Sequence, residues 1–134
     1  MDAALVEAIR RRAANACEYC RMPQQAHLLT FPIDHIIAQQ HGGETEPENL
    51  AFSCVRCNSY QGPNIAGLDP HNRELTRLYN PRSDAWEEHF TIHGCHIVGL
   101  TPIGRTTVGL RQMNHPDFLA LRESLIAEGL FPVA

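Results

Sequence analysis

The sequence contains no lysine: all eleven basic residues are arginine. Any cationic contact to a phosphate must therefore come from guanidinium forks, which bind such oxygens in pairs. Long apolar runs are also missing. None approaches the roughly 18 residues of a membrane-spanning helix, so no membrane role is expected. There is no excess of positive charge, since the net charge is −4 and the isoelectric point is near 6. That balance counts against tight, sequence-independent binding of long duplex DNA. No internal repeat or low-complexity tract breaks up the chain. The amino terminus, MDAALVEAIRRR, places its charges after its apolar residues, the reverse of a secretory signal. These features predict a cytoplasmic protein, and 134 residues predict a single domain large enough to bury a core.

Cysteine is scarce but patterned. Four of the five cysteines fall in two Cys-x-x-Cys pairs, Cys17/Cys20 in CEYC and Cys54/Cys57 in CVRC. In a reducing compartment that spacing points to a metal rather than to disulfides. Each turn brings two sulfurs to one ion, and two turns close a tetrahedral shell, which suits zinc. Four thiolates leave no open position, so this zinc would hold the fold rather than do chemistry. The long gap between the pairs means that something is inserted inside the clamp.

The inserted residues carry the chemistry. Residues 2–14 read as a helix with Leu5, Ile9 and Ala13 on one stripe. Residues 15–23 form a knuckle, and 27–37 read as extended chain weakened by Pro32. A loop with Gly42-Gly43 and Pro47 spans 38–48. A short strand at 50–53 and a helix opened by Cys54 and stopped at Gly62-Pro63 complete the unit. Asp34 and Asn58 supply two hard oxygens, fit for a divalent cation such as Mg²⁺ or Mn²⁺, if that strand and helix lie together. His35 points to the other side of an extended strand and is placed to take a proton from water. Asn49, at the end of the loop, is placed to fix it and orient the imidazole. Singly, each residue is ordinary; inside a four-cysteine clamp they form a set.

CEYC, IDHIIAQQHGG, ENLAFSC and CVRCN, in this order, resemble the HNH endonuclease family, which has the ββα-metal (His-Me finger) fold. The similarity runs from Cys17 to about Pro63, and WEEHF with GLTPIGRTTVGLRQMN resembles extensions on small bacterial HNH proteins. The resemblance implies His35 as general base, Asp34 and Asn58 as ligands of a catalytic divalent cation, and Asn49 as the structural asparagine. It also implies the zinc-binding, four-cysteine subset of the family, with 5′-phosphate and 3′-hydroxyl products. Two positions depart from the usual pattern. Asn58 stands where a histidine is common, and Gln61 where a lysine is common.

The expected architecture is α+β: a zinc-clamped ββα core at about 15–63, an amino-terminal helix, and a carboxy-terminal strand and helix extension at about 84–134. The expected function is metal-dependent hydrolysis of DNA, with RNA left open as a substrate; the alternative is a non-catalytic zinc module that binds nucleic acid or protein. Arg10, Arg11, Arg12, Arg21 and Arg56 lie in or beside the core as candidate phosphate contacts. His41 precedes the Gly-Gly turn beside the expected site. His89, His93 and His96 do not share a strand face, which argues against a second metal site, and Cys95 reads as a buried thiol. Residues 64–82 read as a surface connection or extended arm and 86–100 as two strands. Residues 102–113 are ambiguous, because Thr101-Pro102 starts a helix that Gly104, Thr106, Thr107 and Val108 weaken. Residues 116–128 read as a helix stopped by Gly129.

Overall fold

Helix α1 (Ala3–Arg12) opens where sequence and physics agree. The Asp2 carboxylate accepts a hydrogen bond from the Leu5 amide at 2.8 Å, satisfying one of the free amides of the first turn. Ile9 and Ala13 are buried against the strand at 50–52. Burying a side chain the size of Ile9 is worth about 1.5–3 kcal/mol. The computed structural model describes residues 1–132. The expected extension to residue 134 therefore runs two residues outside the described part.

The ββα unit follows. Strand β1 (Ile33–His35) pairs antiparallel with β2 (Leu50–Phe52), in the register Ile33↔Phe52, Asp34↔Ala51, His35↔Leu50. β2 is buried on both faces. β1 is shorter than the extended run expected over 27–37. Pro32 contributes only its carbonyl, which accepts from the Ser53 amide, and a single helical turn occupies Gln24–Ala26. Helix α2 (Val55–Gln61) starts at Cys54, whose sulfur accepts from the Cys57 amide, and stops at Gly62 with φ +53°. β2 and α2 match the sequence reading within a residue or so.

The second half contains two departures. Residues 64–82 are not a bare connection but carry a hairpin, β3 (Ala66–Leu68) with β4 (Leu75–Arg77). It has no alternating apolar face; instead, the buried Asp69 at its turn takes two hydrogen bonds from Arg105 on a later helix. Residues 86–89 form the one-turn helix α3 (Trp86–His89) rather than strand. Strands β5 (Phe90–His93) and β6 (His96–Gly99) then form the expected hairpin around Gly94. Helix α4 (Pro102–Leu110) is capped by the Thr101 hydroxyl. Its Gly104, a poor helix residue, is required because a Cβ there would sit 2.0 Å from the His89 carbonyl oxygen. Helix α5 (Pro116–Ala127) ends before Gly129, as expected.

The described residues form three two-stranded antiparallel sheets, so the fold is α+β. The two halves share one apolar cluster, in which Tyr19 and Phe52 of the ββα unit meet Trp86, Phe90 and Met113. Trp86 Nε1 donates to the Tyr19 carbonyl at 2.8 Å, and Arg21 stacks on the Trp86 ring at 4.6 Å. Arg122, fully buried on α5, donates to the Cys95 and Met113 carbonyls and ties α5 to the β5–β6 turn. Among the described residues, no helix is long and apolar enough to cross a membrane.

Candidate metal centre and active site

The two Cys-x-x-Cys turns converge. Residues 17–22 close a tight loop, with the Cys17 amide bonded to the Met22 carbonyl and the Arg21 amide to the Cys17 carbonyl. The second pair straddles the start of α2. All four sulfurs are buried and lie within 4.8 Å of one another. A tetrahedral zinc with bonds of about 2.3 Å holds its sulfurs about 3.8 Å apart; Cys20 and Cys54 are separated by 3.7 Å. Burial opposes ionisation of Cys17, but hydrogen bonds from Cys20, Cys54 and Cys57 outweigh it and draw that thiol well below its ordinary value. Soft donors, closed geometry and no competing oxygen ligand fit zinc. Among the described residues this is the one such cluster.

His89, His93 and His96 do not gather around a point. His89 bonds the Thr101 hydroxyl, while His93 and His96 face each other across the hairpin turn. Cys95, expected to be buried, is half-buried, with its sulfur 3.9 Å from His96 Nδ1.

Asp34 and His35 leave β1 in opposite directions. The Asp34 carboxylate turns inward and is 11% exposed. Its Oδ2 lies 3.5 Å from the Tyr19 hydroxyl and 3.9 Å from Arg111 Nη2. Burial pushes this carboxyl up to about 6, against the opposing pull of the Arg111 guanidinium. His35 faces the loop, where Nε2 is 2.9 Å from the Thr45 hydroxyl. Asn49 is buried and binds the loop backbone three times: its Oδ1 accepts from the Ile37 amide, and its Nδ2 donates to the Ile37 and Glu44 carbonyls. Gly43 is part of this packing, since a Cβ there would meet the Ile37 carbonyl oxygen at 1.7 Å. Asn49 thus ties the start of the loop at Ile37 and the residue just before Thr45 to the loop's far end, and Thr45, not Asn49, touches the imidazole. Asn58 is half-buried on α2, and its side-chain amide makes no hydrogen bond among the described residues. His41 is exposed on the turn before Gly42.

Arg111 had no signal in the sequence. It follows α4, is fully buried, and lies with its guanidinium carbon 3.3 Å from the Tyr19 ring centroid. Its Nη1 donates to the Cys57 carbonyl at 3.0 Å, while Nη2 faces Asp34. One guanidinium therefore bridges β1 at Asp34 and α2 beside Asn58. Nε and Nη2 have no hydrogen-bond partner among the described residues. Each buried polar atom left unpaired costs about 1–3 kcal/mol. Tyr19 and Thr45 were likewise invisible: a tyrosine inside CEYC and a threonine in a polar loop carry no distinctive spacing.

The arginines of the core are mostly occupied. Arg12 donates to the Pro47 and Leu50 carbonyls, and Arg82 pairs with the buried Glu18. Arg56 stacks on Phe118 at 4.8 Å and faces Asp117. Arg10 and Arg11 pair with Glu7 on the surface of α1. Gln61 is buried, with its amide nitrogen bonded to the Asn64 carbonyl.

Residues 17–63 match the family model described as HNH endonuclease. No curated protein and no solved structure matches the chain. The matched stretch takes in both cysteine pairs, β1, the Asn49 loop, β2 and α2. The chain therefore carries, at residues 17–63, a domain of the HNH endonuclease family built around a four-cysteine cluster.

Proposed function

We propose that this chain is an endonuclease that hydrolyses DNA phosphodiester bonds with a divalent cation, Mg²⁺ or Mn²⁺, while zinc on Cys17, Cys20, Cys54 and Cys57 holds the fold. The observation that carries the reading is the divergence of two adjacent side chains, Asp34 inward and His35 toward the loop. Asp34 and Asn58 are the residues that would hold the catalytic cation. Their oxygens are hard donors, and among the described residues the Asp34 carboxylate has two polar neighbours at 3.5 and 3.9 Å while the Asn58 amide is uncommitted. Bound there, the cation neutralises charge on the phosphate and on the leaving oxygen.

His35 is the general base. When its Nε2–H donates to the Thr45 hydroxyl, Nδ1 carries the lone pair and is the atom that takes a proton from water. Asn49 holds the loop that carries Thr45, and so keeps the imidazole in one orientation. A cytoplasmic, reducing setting keeps the four thiols available to zinc.

Nicking of supercoiled plasmid in Mn²⁺ or Mg²⁺ tests the reading, with an RNA substrate in parallel. His35→Ala should keep zinc, fold and DNA binding, and lose cleavage by ~10²–10⁴-fold. Asp34→Ala and Asn58→Ala should lose cleavage through weaker cation binding, and higher Mn²⁺ should recover part of it. Raising Mn²⁺ should not help His35→Ala. A fully active His35→Ala would remove the mechanism and favour a non-catalytic zinc module.

A further inference from the structure

The stretch from Cys17 to Pro63 ends well before Arg111, yet Arg111 reaches into its centre. A guanidinium has five N–H donors, and a fully buried one normally finds partners for most of them. Here Nη1 bonds the Cys57 carbonyl, whereas Nε and Nη2 find no partner among the described residues. The nearest carboxylate oxygen to Nη2 is Asp34 Oδ2, at 3.9 Å. The Tyr19 hydroxyl faces that same oxygen, and the Tyr19 ring supports the guanidinium from below. Both neighbours approach Oδ2. Oδ1 accepts no hydrogen bond among the described residues.

We propose that Arg111 is a positioning residue for Asp34. Its charge at 3.9 Å and the Tyr19 hydroxyl at 3.5 Å draw Oδ2 of the carboxylate to their side, so that Oδ1 would be left for the catalytic cation, and through the Cys57 carbonyl Arg111 fixes α2 beside Asn58. The carboxy-terminal extension thus supplies part of the active site. This rests on the reading of Asp34 as a cation ligand. Two effects of Arg111 oppose each other: its charge would repel a nearby cation, and the same charge, 3.9 Å from Oδ2, orients the carboxylate that would bind one. The second prevails, because a carboxylate with no outer partner rotates freely and loses its geometry as a ligand. Loss of such an outer partner costs about 10–100-fold in metal affinity.

The test is Mn²⁺ binding to the full-length zinc-loaded chain without DNA, followed by the spectroscopic signal of free Mn²⁺. Zinc content and the far-ultraviolet spectrum are checked for every variant. Arg111→Met, which keeps the buried volume and removes the fork, should weaken Mn²⁺ binding by about 10–100-fold with zinc retained. Tyr19→Phe keeps the ring under the guanidinium and removes only the hydroxyl. It should weaken Mn²⁺ binding by at least about threefold, the effect of one modest hydrogen bond, and it carries the test if Arg111→Met does not fold. Unchanged or tighter Mn²⁺ binding in folded Arg111→Met, or in Tyr19→Phe where Arg111→Met fails to fold, overturns the proposal. Asp34→Ala separates the two claims. If it binds Mn²⁺ as the parent does, the ligand reading itself falls; if it loses Mn²⁺ while the Arg111 and Tyr19 variants keep it, only the positioning role falls.

Discussion

The side chain of Asn49 bonds both backbone groups of Ile37, accepting from its amide at 2.9 Å and donating to its carbonyl at 3.0 Å. Ile37 stands two residues beyond His35, so this amide clips the outgoing chain to the loop that returns it. Asn49→Ala would leave buried backbone groups unpaired. Urea unfolding should show a loss of about 1–3 kcal/mol, with a larger proportional loss of cleavage than of stability. Gly43→Ala should imitate it, because the added methyl collides with the Ile37 carbonyl oxygen. A stable, fully active Asn49→Ala would contradict the clip.

Metal analysis should give one zinc per chain. Cys17→Ser or Cys54→Ser should lose it and open protease sites within 17–63, since a structural zinc contributes directly to folding. The damage should extend beyond the clamp. Trp86 bonds the Tyr19 carbonyl between the first two ligands, so Trp86 fluorescence should shift when zinc is chelated.

Arg11 and Arg12 are neighbours in sequence and should behave differently. Arg12 donates to the Pro47 and Leu50 carbonyls, so Arg12→Gln should lower the thermal midpoint. Arg11 is exposed and its nearest carboxylate, Glu7, is 3.6 Å away. Arg11→Gln should leave the midpoint unchanged and flatten the salt dependence of DNA binding by about one phosphate contact. An unchanged salt slope would return Arg11 to a solvated face.

Acid should weaken the fold through Asp69 and Asp84. Hydrogen bonds from Arg105 hold Asp69 below the usual carboxylate range, and those from Arg77 do the same for Asp84, in each case against burial. The unfolded chain, with ordinary aspartates near 3.9, therefore takes up protons first as the pH falls. The stability from these pairs is complete above about pH 4 and is lost as the pH drops through the lower folded values. Asp69→Asn and Asp84→Asn should lower the midpoint at neutral pH and make its acid slope shallower. Asp69→Asn should do more, because both partners of the Asp69–Arg105 pair (0% and 30% exposed) are better shielded than those of the Asp84–Arg77 pair (10% and 55%). An unaltered acid slope in both variants would show that other carboxylates set it.

Much of the ββα unit was legible because its signals are local. Cys-x-x-Cys spacing, Gly42-Gly43, Pro32 and the Gly62 stop each act within a few residues, and the described elements follow them closely. The β3–β4 hairpin was hidden because its anchor, Asp69, is matched by Arg105 far along the chain. α4 read ambiguously for a related reason: Gly104 weakens the helix locally but lets it approach the His89 carbonyl. At the site, Asp34, His35, Asn49 and Asn58 stood out as a set, whereas Arg111 did not. A buried arginine is identified by what surrounds it, and its surroundings come from Tyr19, Asp34 and Cys57, all distant in sequence.

The shared apolar cluster bears on whether this ββα unit is portable. Cys17 to Pro63 has the outline of a cassette, but its inner wall is supplied by Trp86, Phe90 and Met113. Moved alone into another protein, the cassette would carry Tyr19 and Phe52 uncovered and Asp34 without its arginine. A host would have to provide a replacement for that wall, not merely a linker. In this chain, ββα unit and extension can therefore change only together, each side chain at the seam limiting what the other half accepts.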